Sequence, residues 1–132
     1  MVRLEHGVDL VQVSRIKDML DRHGASFLDR VFTSLEQQYA EASPPGRAER
    51  YAARFAAKEA VLKALGTGWA GGIAWTDVGV QHGPHGQPEV HLSGAAAKEA
   101  TAMGVSVWAL SLSHAGGMAM ASVIGIPDSK EM

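Results

Sequence analysis

Apolar residues alternate loosely around Val2, Leu4, Val8, Leu10 and Val13, which predicts a strand over residues 2–12. Gly7 inside it marks a bulge or a close backbone approach. Ser14 is placed to cap a short helix with Ile16, Met19 and Leu20 on its apolar face, and Gly24 stops it. A second short helix follows over 26–31. Thr33, with Glu36 three residues later, is a capping box that opens a helix over 34–41. Ser43-Pro44-Pro45-Gly46 is a loop. From Arg47 to Leu65 there is no Gly or Pro, and Ala, Arg, Glu, Lys and Leu dominate, which predicts the longest helix, ended by Gly66. Val78, Val80 and His82 then alternate, residues 83–86 turn, and 89–92 return as a hairpin. Ser93 caps an Ala-rich helix that runs to about Met103 and stops at Gly104. Residues 105–113 alternate strongly, 115–117 turn, and 118–126 run back. The polar tail from Pro127 is expected to fray.

The resulting order, β-α-α-α-α-β-β-α-β-β, has no regular βαβ alternation, no internal repeat and no linker. It predicts an α+β fold: a mostly antiparallel sheet with one long helix packed on it, in a single domain over 1–126 with a tail at 127–132. A chain of 132 residues buries about two-thirds of its unfolded surface without staples. With 46% hydrophobic and 20% charged residues it is composed as a globular protein, not a disordered one. The absence of cysteine excludes a disulfide framework, a thiolate metal site, an iron–sulfur cluster and a Cys nucleophile, and suits a reducing compartment. The first residues lack a basic flank followed by a long apolar run, so no signal peptide is expected. The longest apolar run, 118–126, is broken by Ser122 and Gly125, so no membrane span is expected either.

A net charge of −2 argues against a general nucleic-acid binder. Residues 1–66 hold ten of the twelve Lys and Arg, interleaved with nine Asp and Glu, which suits local contacts to anionic partners. On the long helix Glu59 and Lys63 are four apart and share a face, and Gly66 lies near that face, leading into Gly66-Thr67-Gly68. A carboxylate can hold a hard cation, a lysine can meet a phosphate oxygen, and glycines let a phosphate approach the backbone. By spacing alone the same residues are an ordinary solvated Glu–Lys pair. Asp9 interrupts the apolar run Gly7-Val8-Asp9-Leu10-Val11, where an acid must be paired, bind metal, or sit at an exposed edge or helix cap. His114 ends an alternating strand, as a base, a phosphate donor or simply a polar turn residue. His82 and His85 flank a turn and form no metal pattern, and no nucleophile elbow, Walker loop or dinucleotide fingerprint is present.

Gly7-Val8-Asp9, Arg54-Phe55-Ala56-Ala57-Lys58-Glu59-Ala60 with Lys63-Ala64, Gly66-Thr67-Gly68 and Leu112-Ser113-His114 stand in the order and at the spacing of one family. Over about residues 6–125 the chain resembles the holo-acyl-carrier-protein synthases, the small 4′-phosphopantetheinyl transferases. The resemblance implies the 4′-phosphopantetheinyl transferase fold and transfer of that arm from coenzyme A to a serine of apo acyl carrier protein, with adenosine 3′,5′-bisphosphate as the other product. It implies Mg²⁺ held at Asp9 and Glu59, with Lys63 on the pyrophosphate. Coenzyme A contacts fall at Lys63, Arg54, Gly66, Gly68 and His114, and the catalytic set is Asp9, Glu59, Lys63 and His114. It further implies a homotrimer with active sites between protomers, no nucleic acid or membrane partner, and a cytoplasmic place in fatty acid biosynthesis and lipid metabolism. The resemblance also implies that the acidic carrier protein is met by the first helix through Arg15, Met19 and Arg22, with Ile16 and Leu20 as further apolar contacts. Arg47 and Arg50 are the cations near the expected 3′-phosphate. The alternative is a non-catalytic trimeric module that binds acidic helices, which would not need Asp9, Glu59 and Lys63 together. A small metal-dependent phosphohydrolase is a third reading.

Overall fold

The computed structural model describes residues 4–69 and 71–128. The chain runs β1 (Glu5–Gln12), α1 (Val13–His23), α2 (Ala25–Val31), α3 (Ser34–Ala40), α4 (Arg47–Leu65), a 3-10 turn (Trp75–Asp77), β2 (Val78–His82), β3 (Pro88–Leu92), α5 (Gly94–Ala102), β4 (Val105–Ala115) and β5 (Met118–Pro127). This is the expected α+β order with one added 3-10 turn. Its strands form an antiparallel sheet of order β1-β5-β4 and a separate β2-β3 hairpin. The β4–β5 turn is Gly116-Gly117, both at positive φ, the combination a two-residue hairpin turn demands.

Helix α4 lies on the sheet, packed on β1 and β5. Under it β5 presents Ala119, Ala121 and Val123, all fully buried, so the helix settles close to the sheet. The closest point is Gly7: a Cβ there would stand 1.8 Å from the carbonyl oxygen of Ala60. Of the two readings for this glycine, close approach is the right one, since β1 pairs with β5 in unbroken register from Glu5 to Gln12.

Three local expectations are corrected. Helix α1 starts two residues early, with Gln12 and not Ser14 at the cap position and no side-chain cap. The amide of Val13 donates instead to the carbonyl of Gly117 at 2.8 Å, so the hairpin turn does the capping. Ser93 stands at the N-cap of α5 but its hydroxyl accepts no cap bond; the Asp77 carboxylate lies against Gly94 at that end. Pro127 closes β5 instead of fraying, and Asp128 is tied back through its amide to Gly104 and through its carboxylate to Ser106. The rest of the tail, 129–132, lies outside the described residues. The capping box forms as expected, Thr33 and Glu36 each accepting from the other's amide.

Glu36 does more than cap. Its Oε1 meets Lys58 Nζ at 2.9 Å and its Oε2 accepts from the Val80 amide at 2.7 Å, with Glu36 and Lys58 both wholly buried. Lys58 also donates to the carbonyls of Val78 and Trp75. One satisfied polar cluster therefore clamps α3, α4, the 3-10 turn and β2. Burial pushes the Lys58 ammonium below the ordinary lysine range, against the pull of Glu36.

Candidate active site

Residues of β1 alternate between the two faces of the sheet, and Asp9 falls on the face toward α4 with Gly7 and Val11. On α4, Lys63 stands one turn after Glu59. Lys63 Nζ donates to Asp9 Oδ1 at 3.0 Å and to the Val8 carbonyl at 2.9 Å. Burial, and then the charge of Asp9, push the Glu59 carboxyl above the usual carboxylate range, while Trp69, Lys63 and Arg15 pull it the other way. Asp9, Glu59 and Lys63 are thus brought together, as the sequence predicts. Among the described residues no three of His, Asp and Glu gather as a metal cluster. Asp9 and Glu59 are two carboxylates that could hold a cation taking its other ligands from water and phosphate.

Gly66 ends α4 in the left-handed conformation, and Gly68 adopts it too. Both are exposed, and an added Cβ at either would meet nothing within 4 Å among the described residues, so the backbone beside Lys63 is open to a ligand.

Arg54 and His114 do not join this group. Asp9 pairs with Ala121 and Ala121 with Leu112, so Asp9 and Leu112 stand level on the two outer strands with β5 between them. On the Leu112 side a cavity of about 540 Å³ opens between α4 and β4, lined by Tyr39, Arg50, Arg54, His82, Leu112 and His114 among others. Arg54 is buried, and among the described residues its Nε lacks a hydrogen-bond partner. Burial lowers its affinity for its proton, and among the described residues no carboxylate forms an ion pair with it. Tyr39 and His82 are cavity residues that sequence reasoning passed over; His82 had shown only as a turn residue.

The two other arginines expected near a phosphate are occupied. Arg47 Nε donates to Glu41 at 2.6 Å, and Tyr51 donates to the same carboxylate. Arg50 donates to the carbonyls of Ala40, Ser43 and Pro45 and so holds the 40–46 loop, although it still borders the cavity. On α1, Arg15 and Arg22 are exposed and Met19 half-buried, but Ile16 and Leu20 are core residues and unavailable to a partner. Arg15 lies over the Phe55 ring, 5.5 Å from its centroid. Arg22 pairs with Asp18 at 3.7 Å in an exposed, weak contact.

Residues 5–118 match the 4′-phosphopantetheinyl transferase superfamily. A holo-[acyl-carrier-protein] synthase of Brucella ovis is 53% identical over 93 residues, which is 70% of this chain and 69% of that one. The crystal structure of the Neisseria meningitidis holo-[acyl-carrier-protein] synthase superposes with a TM-score of 0.83 at 31% identity, covering 95% of this chain and 98% of that one. The Helicobacter pylori synthase, in complex with coenzyme A, superposes with a TM-score of 0.79 at 27% identity, covering 91% and 98%. With its α4 carboxylate–lysine pair facing a β1 aspartate, the chain belongs to the 4′-phosphopantetheinyl transferase superfamily.

Proposed function

We propose that this chain transfers the 4′-phosphopantetheine group of coenzyme A to a serine hydroxyl of an apo acyl carrier protein. The observation that carries the reading is the convergence of Asp9, Glu59 and Lys63 beside the open glycines of α4 in a chain of this superfamily. The serine oxygen forms a bond to the phosphorus that bears the pantetheine arm. The bond from that phosphorus to the bridging oxygen breaks, its electron pair leaves with adenosine 3′,5′-bisphosphate, and the serine hydroxyl gives up its proton to solvent. The nucleophile comes from the carrier, so the enzyme needs none of its own, in keeping with the lack of a nucleophile motif.

Asp9 and Glu59 would hold the Mg²⁺; Glu59, with a carboxyl raised by burial and by Asp9, is the kind of ligand a cation relieves. When bound, such an ion supplies charge neutralisation at the pyrophosphate. Lys63, exposed beyond its contact with Asp9, is set to meet a phosphate oxygen, and Gly66 and Gly68 let that phosphate approach the backbone. Arg54, a buried cation with no carboxylate partner and an orphan N–H among the described residues, is suited to an anionic end of coenzyme A in the cavity it shares with His114.

The two groups stand on opposite sides of α4, so a site that uses both is best completed across a subunit boundary. The outer face of the sheet favours such an assembly: Val8, Leu10, Val107 and Met120 are 46%, 60%, 56% and 41% exposed, an apolar surface that suits burial against two further copies in a C₃ trimer. Exposed α1, with Arg15, Met19 and Arg22, is the face for the acidic carrier, and Arg15 is close enough to influence Glu59. No helix of the described residues is long and apolar enough to cross a membrane. We place the reaction in the cytoplasm, the reducing setting that a cysteine-free chain suits.

The test is release of adenosine 3′,5′-bisphosphate, followed by chromatography with and without apo carrier protein. Transfer predicts that release requires the carrier and Mg²⁺. Equal release without any carrier would identify a phosphohydrolase instead.

A further inference from the structure

Taking the cavity beside α4 as the seat of a coenzyme A phosphate, a reading this inference rests on, we propose that His82 is the residue that positions Arg54 within it. Three contacts bind them into one unit. His82 Nε2 meets Arg54 Nη2. The His82 ring stacks on Tyr39, centroids 4.2 Å apart and planes 25° from parallel. The Arg54 guanidinium lies over the same Tyr39 ring, 4.0 Å from its centroid. Arg54 Nη1 donates to the carbonyl of Arg50 at 3.3 Å, and Tyr39 also acts on the guanidinium as a side-chain hydrogen-bond partner, so His82 and Tyr39 hold Arg54 together.

The protonation of His82 follows from its neighbours. A guanidinium can only donate, so Nε2 must be an acceptor and carry no proton. The other ring nitrogen, Nδ1, lies 2.9 Å from the carbonyl oxygen of Gly86, which can only accept, so Nδ1 carries the hydrogen. His82 is therefore a neutral imidazole in the Nδ1–H tautomer, and the β2–β3 turn fixes it by returning Gly86 to the ring. This arrangement suits a cation that must bind an anion. A carboxylate in place of His82 would hold Arg54 equally well, but it would cancel the charge and compete with the ligand. A neutral acceptor orients the guanidinium and leaves its full charge for a phosphate.

Calorimetric titration of the assembled protein with coenzyme A tests this. His82→Phe keeps a ring to stack on Tyr39 but has no acceptor, and should raise Kd about fivefold. His82→Gln restores a carbonyl acceptor at the reach of Nε2 and should recover most of that loss. Because His82 acts through Arg54, the double variant His82→Phe/Arg54→Ala should bind no more weakly than Arg54→Ala alone. Wild-type affinity in His82→Phe, or losses that add in full, would overturn the proposal. If Arg54→Ala itself binds coenzyme A normally, the cavity is not the phosphate seat, and the underlying reading fails with the inference. Nitrogen chemical shifts of His82 in the unsubstituted protein give an answer independent of any variant's folding: a protonated Nδ1 with a bare Nε2 is expected, and the Nε2–H tautomer contradicts it.

Discussion

Glu59 is held in a place that costs the folded protein something. Burial and the nearby Asp9 charge raise its carboxyl above 4.5, its ordinary value. Between that value and the raised one the folded chain holds a proton that the unfolded chain has lost, so stability falls as pH rises through the window and stays lower at neutral pH. Glu59→Gln removes that penalty. Without metal, the variant should melt at a higher temperature than the parent at pH 7, yet transfer should drop by roughly a hundredfold or more. Calorimetry with a parallel transfer assay reads both; a lower melting temperature with activity retained would mean Glu59 is an ordinary surface acid. Asp9 and Lys63 were legible through the family resemblance, since by pattern alone an acid in an apolar strand also reads as an edge or cap residue and a Glu–Lys pair at helical spacing as a solvated one. Neither pattern alone shows that the strand aspartate meets the helix lysine.

At the scale of elements, legibility followed range. Helix α4, the capping box and the two glycine-bearing hairpins rest on local chemistry, and each was readable; for Gly7 a close approach was one of two readings, and its partner, Ala60, is distant in sequence. The start of α1 was misplaced because its cap is the Gly117 carbonyl, distant in sequence and supplied by the backbone. The clamp of Glu36 on Lys58 was invisible for the same reason: a lysine beside Glu59 in a helical run reads as solvated, yet here it is wholly buried. That clamp fixes how α4 is turned, and so where Glu59 points. Lys58→Met leaves the Glu36 carboxylate buried without its counter-charge and should cost about 3–5 kcal/mol. Denaturant unfolding measures this, and a loss below about 1 kcal/mol would show the pair to be dispensable. The pairing of Arg54 with His82, 28 residues apart, likewise depends on tertiary placement that no local pattern carries.

For the whole molecule, one protomer carries both halves of the proposed site but places them on opposite sides of α4. The apolar outer sheet face then acquires a role, since assembly through it could bring one subunit's Asp9 group to a neighbour's cavity. Leu10→Glu puts a charge on the most exposed apolar position of β1. It should convert a trimer to monomers by light scattering and abolish transfer together with assembly; an active monomer would remove the need for a shared site. The account as a whole stands on group transfer itself, and intact-protein mass spectrometry of apo carrier protein incubated with the enzyme, coenzyme A and Mg²⁺ tests that most directly. The predicted result is a carrier heavier by a single phosphopantetheine group, absent when Asp9→Asn replaces the parent enzyme. A carrier of unchanged mass in the presence of folded, coenzyme A-binding parent enzyme would contradict it.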